Sequence, residues 1–145
     1  MYRTERGFTL VELMVVVTVV AVLAAIAIPT YQAYTVRSRI SEALAMMGAC
    51  KTAVTDYLAS KAALPPDLDA AGCADYAGTQ YVAGIDVVDG TITMTMATSS
   101  RLGAASGGSV KLTPSLSASN MISAWTCAPG DSSPVPETLL PGVCR

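Results

Sequence analysis

Arg6-Gly7-Phe8-Thr9-Leu10-Val11-Glu12-Leu13-Met14 opens the longest apolar run in the chain. From Phe8 to Ile28 there are 21 residues, and Glu12 is the only charged side chain among them. As a helix, a run of that length crosses a bilayer core. A carboxylate inside it costs roughly 2.5–3.5 kcal/mol at a helix centre on insertion scales, and less near an end. Glu12 therefore requires a partner. Pro29 follows directly and predicts a kink or a local loosening of the helix, because proline supplies no N–H to the ladder.

Three readings compete for this opening. In the first it is a secretory signal peptide, with Arg3 and Arg6 as the basic region and Ala24-Ala25-Ile26-Ala27 as small-residue cleavage sites. In the second it is a plain membrane anchor. In the third it is a precursor cut between Gly7 and Phe8 that keeps the apolar run. Both membrane readings place Arg3 and Arg6 in the cytoplasm and the rest of the chain outside. Glu12 favours the third, because cleavage would create an amino group at Phe8 one helical turn from the carboxylate. The amine could pair with its own Glu12 or with that of a neighbour. Complementing the positive end of the helix dipole is a further role for Glu12.

Gly7-Phe8-Thr9-Leu10-Val11-Glu12-Leu13 resembles the processing and assembly signature of type IV pilins and the related pseudopilins. The resemblance implies a leader over residues 1–7, removed by a membrane peptidase that also methylates Phe8. It implies a transmembrane and filament-core helix over 8–29, with Pro29 as the helix break, and a head domain over 30–145. Phe8 and Glu12 become the assembly pair. The implied partners are other pilin subunits, the prepilin peptidase/methyltransferase, an inner-membrane assembly platform and, before assembly, membrane lipid. The implied location is the inner membrane with the head in the periplasm, then an extracellular pilus (fimbrium) used for attachment, twitching motility or DNA uptake. A pseudopilin of a type II secretion system and a minor pilin remain as alternatives.

Beyond Pro29, Val36, Ile40, Ala43, Leu44, Met47, Val54, Tyr57 and Leu58 recur at steps of three and four, with Arg37, Glu42, Lys51 and Asp56 off that stripe. One helix from Phe8 to Ser60 would run about 80 Å. Pro65-Pro66 stops it, and residues 61–79, with Asp67, Asp69, Asp75 and Gly78, read as a loop. Tyr81–Val88 and the alternating Thr91–Met96 read as strands joined by a type I′ turn at Asp89-Gly90. Ser99–Gly108 reads as a flexible turn. Val110–Leu112 is a third strand, with Pro114 marking an end, bulge or edge. Ile122–Cys127 is a fourth and carries the single tryptophan, Trp125. A long helix laid on a four-stranded antiparallel sheet gives an α+β fold.

Composition narrows the chemistry. The chain has 145 residues, no histidine and a net charge of −2. With no imidazole and no nucleophile–base constellation, a structural protein rather than an enzyme is expected, with no cofactor and no metal. Asp67-x-Asp69 lacks the later glutamate of a calcium loop, and Asp86 and Asp89 make a weak one. The slight negative charge speaks against nucleic acid as a main ligand. Ser132-Ser133 could carry a glycan but reads as solvated loop. Cys50, Cys73, Cys127 and Cys144 form no C-x-x-C pair, so two disulfides in an oxidising compartment are expected. Four cysteines allow three connectivities. Cys50–Cys73 would pin the 61–79 loop to the helix, and Cys127–Cys144 would close a C-terminal loop of the kind that the pilin resemblance implies.

Overall fold

The helix predicted from the apolar run and its amphipathic continuation is present as α1, Leu10–Lys61. A computed structural model describes residues 7–73 and 79–144 of the chain. Arg3 and Arg6 of the leader, Asp75 and Gly78 of the loop, and Arg145 lie outside the described residues. The chain divides into two compact units, Met1–Tyr34 and Thr35–Arg145.

In the first unit α1 contains Pro29 without ending there. The proline interrupts the hydrogen-bond ladder at one rung and the helix continues. Nearby, the Thr30 hydroxyl donates to the Ile26 carbonyl at 3.0 Å, and farther up Thr18 donates to Val15 at 2.8 Å. Both hydroxyls are thus satisfied within the helix, as an apolar medium demands.

In the second unit the buried positions of α1 are Val36, Ile40, Ala43, Met47, Cys50, Val54 and Leu58. Their steps of three and four form the stripe of an amphipathic helix. Tyr57 and Leu44, expected on the same stripe, sit half-buried at its margin. From Val36 to Val54 the stripe shares one core with Val82, Ile85, Val87, Ile92, Met94, Met96, Val110 and Leu112. These come from β1 (Val82–Val88), β2 (Thr91–Met96) and β3 (Ser109–Leu116), which with β4 (Ile122–Pro129) form a four-stranded antiparallel sheet in chain order. Along β2 the side chains alternate, with Ile92, Met94 and Met96 buried, the pattern of a sheet covered on one face.

The β1–β2 turn has φ of 47° at Asp89 and 75° at Gly90, the paired positive values that a type I′ turn needs. Leu64 also packs against Gly90, and an added Cβ, 2.8 Å from its Cδ2 and 3.2 Å from its Cβ, would force that side chain to move. The Asp89 and Gly90 amides donate to the Pro66 and Pro65 carbonyls at 3.3 and 2.9 Å. The two prolines therefore stop the helix and also anchor the hairpin. Between them and Cys73 a short helix α2, Leu68–Ala71, stands where plain loop was expected; the Asp67 side chain caps it by accepting from the Ala70 amide at 2.8 Å.

Two further segments differ from expectation. Ser99–Gly108 is not a free turn: Ser100–Ala105 forms 3-10 turns that bury Leu102 and Ala105 completely in the core. β3 also runs on past Pro114 to Leu116. Its pairing with β2 ends at Leu112 while its pairing with β4 continues, with Pro114 opposite Trp125. The proline sits where only one neighbour needs a ladder.

The C-terminal segment after β4 is held on Ser109. The Ser109 amide donates to the Ser133 carbonyl at 2.7 Å, and the amides of Gly130 and Val135 donate to the Ser109 carbonyl at 2.9 and 3.1 Å. That clamp places Val135 and Leu140 in the core. Cys50 is bonded to Cys73 and Cys127 to Cys144.

Candidate functional site

The residues singled out at the N-terminus come together around the start of α1. Thr9 precedes the first helical residue and Glu12 follows it by three, the spacing of a capping box. The Thr9 amide and hydroxyl both donate to Glu12 Oε2, at 2.9 and 2.7 Å, and the Glu12 amide donates back to the Thr9 hydroxyl at 3.2 Å. Two of the helix's unpaired terminal amides are thereby satisfied, and the carboxylate lies at the positive end of the dipole. Thr9 was not recognised from sequence, although Thr-x-x-Glu is a legible signal; an apolar run draws attention to its one charge and away from the hydroxyl beside it.

Gly7 and Phe8 precede the helix and are exposed, Phe8 at 74%. An added Cβ on Gly7 would meet nothing within 4 Å, so packing within the described residues places no demand for glycine at this position. From Leu10 onward the helix is apolar and long enough to cross a bilayer, and none of the spanning window is buried. Leu13, Val16, Val20, Leu23 and Ile26 all stand exposed. An apolar surface this continuous is covered in use, by lipid or by protein.

The other sequence candidates have local occupations. Asp67 is committed to its helix cap. The Asp86 carboxylate accepts from the Val87 amide at 2.9 Å, and Asp89 serves the hairpin turn. Among the described residues no group of three or more His, Cys, Asp or Glu side chains is placed to hold a metal ion. The Ser132 carbonyl accepts from the Ser109 hydroxyl, and Ser133 takes a positive φ of 51° in the same clamp. Trp125 lies beside α1 with the Lys51 ammonium 5.5 Å from its ring centroid.

Comparison with known proteins places these features in one family. A family described as pilin (bacterial filament) matches residues 36–145, and a prokaryotic N-terminal methylation motif matches residues 2–28. The fimbrial protein EcpC of Eikenella corrodens is 35% identical over 147 residues, covering 99% of this chain and 92% of that relative. The type IV major pilin protein PilE of Neisseria gonorrhoeae is 41% identical over 98 residues, 66% of this chain and 59% of the relative. A fimbrial protein of Neisseria meningitidis serogroup A is 42% identical over 102 residues, 68% of this chain and 59% of the relative. This chain thus spans about three fifths of those two Neisseria proteins. With the filament family matched over residues 36–145 and the methylation motif over residues 2–28, the chain belongs to the pilin family.

Proposed function

We propose that this chain is the structural subunit of a type IV pilus. Residues 1–7 are a leader, cut off by hydrolysis of the Gly7–Phe8 peptide bond by a membrane peptidase that then methylates the Phe8 amine. Residues 8–29 form the membrane helix and later the filament core, and residues 30–145 the head. Before assembly the subunit sits in the inner membrane with its head in the periplasm, where both disulfides form. After assembly on an inner-membrane platform it lies in an extracellular filament that serves attachment, twitching motility or DNA uptake.

The observation that carries this reading is a single carboxylate five residues into the cut chain, at the head of an uncovered apolar helix. Thr9 occupies Oε2 of Glu12. Oε1 then accepts the Phe8 ammonium of a neighbouring subunit. In lipid the subunit carries a charge without a full partner, and at the base of a growing filament it acquires one. Removing one member of a buried charge pair typically costs about 3–5 kcal/mol, enough to fix register and favour leaving the membrane. The closed Cys127–Cys144 loop supports the pilus reading over a pseudopilin of a type II secretion system.

Surface filaments sheared from cells and analysed by intact mass test the reading. The expected species is residues 8–145 plus one methyl group, less four hydrogens for two disulfides, as an abundant filament component. A chain absent from the filaments, or one beginning after Ala27, overturns it.

A further inference from the structure

Among the described residues, three arginines of the head form no ion pair with a carboxylate. Arg37 donates through Nε to the Thr138 carbonyl at 2.9 Å. Arg39 donates through Nη1 to the Arg101 carbonyl, and its guanidinium carbon lies 5.8 Å from the Tyr81 ring centroid. Among the described residues the one ion pair joins Lys111 and Asp131, and no carboxylate there neutralises any of the three arginines. Glu42, three residues after Arg39, and Glu137, next to Thr138, make no ion pair with Arg37 or Arg39. Backbone carbonyls hold Arg37 and Arg39 in place while leaving most of their N–H donors unspent.

The placement matters as much as the charge. Two residues apart on a helix, Arg37 and Arg39 project about 200° from each other. They flank the buried stripe of Val36 and Ile40 on opposite sides, with Arg101 beside Arg39. Asp67, at the cap of α2, and Asp89, whose amide reaches Pro66, belong to the other end of the head, roughly 30 Å along the helix. The three arginines thus lie toward one end of this part of α1 and the carboxylates of Asp67 and Asp89 toward the other, where Lys61 also stands. Cations split across two flanks do not converge on one small anion, but they suit a surface carrying many phosphates. In sequence they follow the apolar run by nine residues, after the exposed Tyr31 and Tyr34. Tyrosines directly after an apolar run are the order found at a membrane interface, and the arginines follow them on its periplasmic side.

We propose that Arg37, Arg39 and Arg101 form a basic collar that rests the head on anionic phospholipid headgroups until the subunit is taken into a filament. The proposal rests on the membrane-held state proposed above. It gives the collar a use in that state, in which each arginine near an anionic surface adds to the attraction and salt removes it.

The test uses the full chain in vesicles and its single tryptophan. Energy transfer from Trp125 to a dansyl-labelled lipid reports how close the head lies to the surface. Vesicles of phosphatidylcholine alone are compared with vesicles containing phosphatidylglycerol. Transfer is expected to be higher with phosphatidylglycerol, to fall toward the phosphatidylcholine value at 1 M salt (a Debye length of about 3 Å), and to fall in R37Q/R39Q. That pair should shift the resting equilibrium roughly thirty-fold, while K61Q/K111Q, an equal loss of charge, leaves it near wild type. Should R37Q/R39Q misfold, Arg101→Gln serves in its place with a smaller shift. Equal transfer in the two lipids, equal effects of the two double variants, or relief by inorganic phosphate beyond chloride at matched ionic strength each overturns the collar. A chain that does not float with vesicles of either kind instead overturns the membrane-held state.

Discussion

Thr9 and Glu12 bond each other in both directions, hydroxyl and amide to carboxylate and amide back to hydroxyl. The carboxylate that assembly would use is therefore already employed in starting its own helix. The two roles separate by mutation. Thr9→Val removes the cap, worth about 1 kcal/mol, and leaves the charge. Glu12→Gln keeps an oxygen for the capping box and removes the charge. Filament yield, measured by shearing and blotting, should stay near wild type in Thr9→Val and collapse in Glu12→Gln with the leader still removed. Equal yields from the two variants would reduce Glu12 to a cap.

Leu102 turns an apparently flexible stretch into part of the core. It is fully buried beside Ala105, so Leu102→Ala should destabilise the head by about 2–5 kcal/mol. Thermal denaturation of the full chain in detergent reads this as a lowered Tm, while Ala118→Ser at an exposed position of the β3–β4 turn serves as a near-neutral comparison.

Gly130 approaches Ser109 closely enough that a Cβ would lie 2.7 Å from the Ser109 Cβ. The Gly130 amide also donates to the Ser109 carbonyl at 2.9 Å, so the strands cannot part without losing that bond. Gly130→Ala should cost about 1–3 kcal/mol through overpacking. Its signature is loosening of the segment that holds Val135 and Leu140, read by hydrogen exchange at the Ser109 and Val135 amides.

The disulfides close sequence separations of 23 and 17 residues. In the chain-entropy model each contributes about 3 kcal/mol. Cys127→Ser/Cys144→Ser should therefore lower the denaturation midpoint, and peptide mapping without reduction should still recover the Cys50–Cys73 link.

The parts of this fold that were readable from sequence are those with a strong periodic or turn chemistry. Phe8–Ile28 has length and apolarity enough to declare a helix, Val36–Leu58 keeps steps of three and four, and Asp89-Gly90 announces a turn whose φ values are both positive. The rest rests on contacts that leave no local mark. Leu102 is hidden in a Gly-, Ser- and Ala-rich stretch, and its burial depends on the core it enters. The C-terminal segment is folded back by backbone bonds to Ser109, which no side-chain pattern encodes. Arg37 read as a polar position off the stripe and Arg39 carried no signal, because their partners, the carbonyls of Thr138 and Arg101, are more than sixty residues away. At the site itself Glu12 stood out by its cost, whereas Thr9, a good cap in an apolar run, did not.

The most direct measurement is the separation between the Phe8 amine and Glu12 of adjacent subunits in a cryo-EM reconstruction of the filament. The expected N···O distance is within about 4 Å, the reach of an ion pair, with Thr9 still on the other carboxylate oxygen. A Glu12 bonded only to its own Thr9, with the Phe8 amine turned elsewhere in the filament core, would contradict it.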